Sequence, residues 1–285
     1  FGGNRSVGNC NFHSNDTWVL TNANGLGGTP AWIQLSPTGT PPSARSQHRA
    51  VYDPASNRLI MFGGGGSCNE LSATKNDVWV LSNANGLGGT PTWTELTPSG
   101  SLPPVRSLVS MTYDPASNRL TVFSGAAAVT TPDVWVLTNA NGLGGAPAWT
   151  QQGPTGTPPT GRASTVTVHD ASLDRMLVFS GNTAAGKTNE TWVLSNASAA
   201  GGTPSWTQAS PSGTPPVARG DAAGVWRGTS RRLTVFGGIV GSDAVSDIWV
   251  FAEAQAVQNG SLAFSSAAYS MSESGPTATI TVTRT

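Results

Sequence analysis

The sequence predicts an all-β propeller, a radial array of four-stranded blades, and three observations carry that prediction. The stretch "DVWVLSNANGLGGTPTWTEL" at 77–96 recurs almost unchanged at 16–35 and at 133–152. Trp18, Trp79, Trp135, Trp192 and Trp249 occupy equivalent places at spacings of 61, 56, 57 and 57 residues. A second tryptophan follows 14 residues later in four units (Trp32, Trp93, Trp149 and Trp206), and an arginine 13 residues beyond it (Arg45, Arg106, Arg162 and Arg219). Fixed offsets do not arise from composition bias, and a period near 50 with strand-like contents describes units that bury one face against the next.

Each unit reads as four strands. "SQHRAVYD" (46–53) is followed by the turn "PASN" and by "RLIMFGG" (58–64). A variable loop leads to "DVWVL" (77–81), and a connection with Asn-Gly and Gly-Gly turn signals leads to "TWTEL" (92–96). "TPSGSLPPVR" then crosses to the next unit. Four antiparallel strands repeated radially are a propeller blade.

The pattern "R…YDPASNRLIMFGG…NDVWVL…W" resembles the kelch repeat, with its Gly-Gly after the second strand and its spaced tryptophans. The resemblance covers 1–252, in units of about 1–44, 45–105, 106–161, 162–218 and 219–252, the first and last incomplete. Ser124-Gly125 and Ser180-Gly181 replace the double glycine in units three and four, and Trp226-Arg227 replaces Tyr-Asp in unit five. The nine repeat tryptophans are expected to pack between blades, and Trp226 to join the core.

Composition narrows the function. Charged residues are 11 % of the chain and the formal net charge is zero, so no field draws nucleic acid or an acidic membrane. No apolar run approaches the roughly 20 residues of a membrane span. An acid sits two residues before the first tryptophan of every unit (Asp16, Asp77, Asp133, Glu190, Asp247), and arginines recur as the Arg45 series and as Arg58, Arg119, Arg175 and Arg232. Such pairs are expected to tie blades together by charge-assisted hydrogen bonds. A catalytic site must break this symmetry, and the acids left over (Glu70, Glu95, Asp221, Asp243, Glu253, Glu273) do not cluster in sequence.

His13, His48 and His169 lack metal-ligand spacing. His48 and His169 fall on repeat positions and are expected to be structural, while His13 is a candidate ligand. No G-x-S-x-G turn and no phosphate-binding loop occurs. The copper-radical oxidases that share a kelch-type propeller need Tyr, Cys and His ligands together, and only Tyr52, Tyr113 and Tyr269 are present. No cofactor or metal is expected. Cys10 and Cys68 lie in equivalent second-to-third-strand loops of adjacent units, and a disulfide between them is expected, implying an oxidising, extracytoplasmic setting. A binding face is expected on these loops, at 4–16, 65–76, 126–132, 182–189 and 239–246, with His13, Glu70, Lys75, Lys187 and Asp243 as candidate contacts.

Residues 253–285 depart from the repeat. "GSLAFSSAAYSMSESGPTATITVTRT" (260–285) resembles the opening of a Calx-beta module, and that resemblance makes Glu273 a calcium candidate. Its two strands are expected to complete the first blade, to add to a neighbouring subunit, or to begin a module of a larger surface protein. Three functions stay open: a secreted or cell-surface propeller binding a protein or glycan without catalysis; a subunit that self-associates through 253–285; and a glycan-active enzyme using a cluster such as Glu70, Asp243 and His13.

Overall fold

A computed structural model describes residues 1–7, 10–65, 74–252, 262–264 and 282–284. Unit one supplies β1 (Gly3–Val7), β2 (Cys10–Ser14), β3 (Thr17–Thr21) and β4 (Ala31–Leu35). Unit two is β5 (Arg49–Asp53), β6 (Arg58–Phe62), β7 (Val78–Ser82) and β8 (Thr92–Leu96). Unit three is β9 (Ser110–Asp114), β10 (Arg119–Phe123), β11 (Val134–Thr138) and β12 (Ala148–Gln152). Unit four is β13 (Arg162–Ala163), β14 (Val166–Asp170), β15 (Arg175–Thr183), β16 (Gly186–Ser195) and β17 (Ser205–Ala209). Unit five is β18 (Ala223–Arg227), β19 (Arg232–Val240) and β20 (Asp243–Ala252). A single 3-10 turn, Gly228–Ser230, is the one helix among the described residues.

The sheets are antiparallel, in the order β5-β6-β7-β8, β9-β10-β11-β12, β14-β15-β16-β17 and β18-β19-β20. First strands are neighbours in series, β5 beside β9, β9 beside β14 and β14 beside β18. This is a four-blade propeller arrangement flanked by the β3–β4 pair. Local chemistry explains the repeated turns. After the third strand, Asn22, Asn83, Asn139 and Asn196 take φ of 47–50°, a left-handed conformation that asparagine tolerates. Each side-chain amide then donates across the loop, for example Asn83 to the Thr90 carbonyl at 3.1 Å.

The core lies between blades. Ile60, Phe62, Val78 and Val80 of unit two face Leu120, Trp135, Leu137 and Trp149 of unit three. Phe62 meets Trp149 edge-on at 5.5 Å and Phe123 meets Trp206 at 4.8 Å. Phe1 meets Trp93 at 5.0 Å, so it takes the place in unit one that Phe62 holds in unit two. Burial of the tryptophans follows from this stacking: Trp93, Trp149 and Trp206 are 3–4 % exposed and Trp79, Trp135 and Trp192 are 5–8 % exposed. Trp18 and Trp32 depart from expectation, at 44 % and 66 % exposure, because no blade precedes β3–β4 among the described residues. Trp249 and Trp226 are half-buried against unit four.

Several sequence readings are revised. Segments 4–16, 182–189 and 239–246 are not loops but antiparallel hairpins, β1–β2 and the extended ends of β15–β16 and β19–β20. The last two pass bulges at Phe179/Gly181 and Phe236/Gly238. In the tail, β21 (Leu262–Phe264) pairs with β22 (Val282–Arg284), and not with unit one. Glu273 lies outside the described residues, and nothing further supports a Calx-beta module. Cys68 and Glu70 also lie outside them, and the described residues contain no disulfide.

Candidate interaction face

Each Arg45-type residue is a staple between two blades. The Arg106 backbone N–H donates to the Lys75 carbonyl and its carbonyl accepts from Gly64 N–H, both at 3.0 Å and both in unit two. Its guanidinium turns the other way, donating to both Asp133 carboxylate oxygens at 2.8 Å and to the Ser124 carbonyl at 3.0 Å, all in unit three. Arg45 does the same toward Asp77, Arg219 toward Asp247, and Arg162 toward Glu190 through one oxygen. The side chain therefore binds its own blade and the main chain binds the preceding one, a division the residue spacing does not reveal. All four arginines are 0–1 % or 2 % exposed. Each acid also accepts from the indole N–H of its unit, as Asp133 does from Trp135 at 2.6 Å. Burial opposes ionisation of Asp133, but the bonds from Arg106 and Trp135 outweigh it and hold its carboxyl below the usual range. The Asp16 carboxylate keeps only Ser14 and Trp18 as side-chain partners among the described residues.

Beside the staples the chain enters each first strand. Leu108 N–H donates to the Gln47 carbonyl at 2.8 Å, Ser164 N–H to Leu108 at 3.1 Å, and Asp221 N–H to Ser164 at 3.0 Å. This chain of bonds runs from blade to blade around the axis, and all four residues have φ of 52–58°. Arg49 pairs with Phe62, which places it at the blade end from which the second-to-third-strand connections leave.

Arg49 breaks the symmetry. Ser110, Val166 and Ala223 hold its place in the other blades, each opposite the repeat phenylalanine of the second strand. Its Nε donates to the Val109 carbonyl at 3.2 Å. Burial pushes the guanidinium pKa down, and the Asp221 carboxylate of unit five partly opposes that shift. The axial mouth thus holds two unlike charges, Arg49 of unit two and Asp221 of unit five, beside the hydroxyl chain Ser110–Thr165–Thr167 with oxygens 2.7 and 2.8 Å apart. His48 adjoins them, edge-on to Phe1 at 5.5 Å. Burial, reinforced by the charges of the N-terminus, Arg45 and Arg49, lowers His48 to about 4, so it is neutral at pH 7.

The predicted contacts are only partly gathered. Lys187 Nζ donates to the Gly241 carbonyl, joining the hairpin tips of units four and five beside Asp243. Asp243 accepts from the Ser242 hydroxyl at 3.3 Å. His13 sits in β2 and shares a hydrogen bond with Ser46 at 3.0 Å. Lys75 lies apart, lining a shallow depression with Asp77 and Glu95. His169 pairs with Asp174 at 3.7 Å, the place where Tyr113 bonds Asn118 in the neighbouring blade. No group of three His, Cys, Asp or Glu residues suited to a metal occurs among the described residues. None of their helices is long and apolar enough to cross a membrane. Reading the units as aligned columns would have found Arg49, an arginine among Ser, Val and Ala.

Residues 65–257 match the family described as the KLHDC2/KLHL20/DRC7 Kelch-repeats domain. The chain belongs to the Kelch-repeat family. That match spans the last three blades, most of unit two and the first residues after β20. Kelch propellers typically serve as protein-interaction domains.

Proposed function

We propose that this Kelch-repeat propeller is a non-catalytic binding module, secreted or displayed at a cell surface, whose protein or glycan partner docks over the second-to-third-strand end of the blades. The observation that carries the reading is Arg49. It is a charged residue at an otherwise neutral repeat position, held at the axial mouth by Val109 and opposed by Asp221. A half-buried charge at a position the fold fills with Ser, Val or Ala has no packing rationale, whereas a bound partner gains orientation from it. The hairpins of units four and five, with Lys187 and Asp243, rim the same end and offer polar contacts around the mouth. The neutral, Gly- and Thr-rich surface and the cysteine pair motivate the extracytoplasmic part of the reading.

A random-peptide phage library panned on residues 1–285, in parallel with a glycan array, tests it. Selected ligands should lose at least tenfold in affinity for Arg49→Ala and for Asp221→Asn, with thermal unfolding little changed. Ligands that bind both variants as well as the parent chain would place the interaction elsewhere and end this reading.

A further inference from the structure

The third-to-fourth-strand hairpin carries one heptapeptide, Asn-Ala-Asn-Gly-Leu-Gly-Gly, unchanged in units one, two and three. Its middle asparagine, Asn24, Asn85 or Asn141, folds its side chain back over the next peptide. Leu26 N–H donates to Asn24 Oδ1 at 2.9 Å, Leu87 N–H to Asn85 Oδ1 at 2.8 Å and Leu143 N–H to Asn141 Oδ1 at 2.9 Å. This Asx turn brings the side-chain carbonyl beside the backbone nitrogen of the following glycine. No Cβ shields that nitrogen. The leucine N–H stands where an oxyanion would form if the nitrogen attacked the side-chain carbonyl.

The three copies differ at the amide nitrogen. Asn141 Nδ2 donates to the Asp53 carboxylate of unit two at 2.9 Å, and Asn141 is 7 % exposed. Asn24 and Asn85 are exposed, and among the described residues their Nδ2 atoms bond nothing. Every hydrogen bond of the Asn85 side chain is one that it accepts, from Leu87 N–H and from Asn57 Nδ2, both at 2.8 Å. A carboxylate accepts both of these bonds, and more strongly. A carboxylate at Asn141 would instead lose the bond to Asp53 and face a like charge.

We propose that Asn24 and Asn85 are sites of spontaneous deamidation, and that the fold withholds the same reaction from Asn141. The glycine nitrogen bonds to the asparagine Cγ and gives its proton to solvent. The Cγ–Nδ2 bond breaks, and the amide nitrogen leaves as ammonia with a proton from water. Water then opens the resulting succinimide at either carbonyl, giving aspartate or isoaspartate. Water is the one co-reactant, and nothing is oxidised or reduced. Solvent reaches the leaving nitrogen of the exposed asparagines, whereas Asp53 holds that of Asn141 in a buried site.

Each event lowers a formal net charge of zero by one. The new charge appears at the turn end of the blades, where Asn57 bonds Asn85, and away from the axial mouth. The reaction therefore stands apart from the proposed binding function. Unit four has Ser198-Ala199 in place of Asn-Gly and carries no carboxamide to react there.

The test is storage of residues 1–285 in mildly alkaline buffer, followed by peptide mapping that separates asparagine, aspartate and isoaspartate at each site. Conversion at Asn24 and at Asn85 is expected to run at least tenfold faster than at Asn141. Equal rates at the three sites, or no conversion at the two exposed ones, overturn the proposal. The same mapping in urea separates fold from sequence. The three rates should converge there, and an Asn141 that stays slow in the unfolded chain overturns the proposal. Asn85→Asp should leave thermal unfolding unchanged and Asn141→Asp should lower its midpoint; equal effects of the two also overturn it.

Discussion

Arg106 and Asp133 meet through two parallel hydrogen bonds of 2.8 Å, with the arginine side chain 2 % exposed and the carboxylate 11 % exposed. The same arginine grips the preceding blade with its main chain. One residue therefore transmits order from blade to blade, and its recurrence four times explains why the Trp–Arg offset is so constant. Arg106→Ala leaves a buried carboxylate without its partner and should cost about 3–5 kcal/mol. Urea unfolding of the two proteins measures it, and Arg106→Lys should recover only part of the loss because one ammonium cannot bond both oxygens in the plane.

The repeat supplies an internal control for burial. Trp93 and Trp32 hold the same position, at 3 % and 66 % exposure. Trp93→Ala should cost about 3–5 kcal/mol as a cavity-forming change. Trp32→Ala should stay within about 0.5 kcal/mol, as for an exposed site. Comparable losses in denaturant midpoint would contradict the blade order given above.

Gly100 and Gly213 share a φ of +85° but differ in what stands in front of them. Gly213→Ala should carry only the left-handed backbone cost of about 1–2 kcal/mol. Gly100→Ala must also push back the Trp149 carbonyl, 2.4 Å from the new Cβ, and should be the more destabilising of the two. Thermal unfolding of the pair separates backbone strain from close approach.

Stability should fall with acid in an order set by His48. Its folded pKa is about 4, below its ordinary value of 6.5, so the unfolded chain binds the proton first. Its contribution is complete above pH 6.5 and is lost as pH falls toward 4. Between pH 7 and 5 the loss should be on the order of 1–2 kcal/mol. His48→Gln should flatten that segment of the curve. The depressed carboxylates, Asp133 and Glu190 among them, act later, since their contribution is full above pH 4.5 and disappears only below it.

The fold was legible because its determinants are periodic. The Trp18 and Trp32 series announce blade faces, and the Asn83-type turns and the turn after Asp53 announce hairpins. What the sequence could not show depends on which copy of a repeat has neighbours. Trp32 and Trp93 read identically, yet one lies against solvent. Gly213 reads like Gly100, but among the described residues nothing stands in front of it. The staple also escaped, because spacing identifies Arg106 with Asp133 without saying that the main chain points to the other blade. Arg49 was visible in principle and hidden in practice, standing four residues from the more regular Arg45.

The most direct measurement is a hydrogen-exchange footprint of residues 1–285 with a ligand selected by panning. The account predicts slowed exchange at the mouth and rim, in segments 47–49, 108–110, 182–188 and 239–245. Protection confined to the opposite blade ends, at the turns 54–57, 115–118 and 171–174, would contradict it.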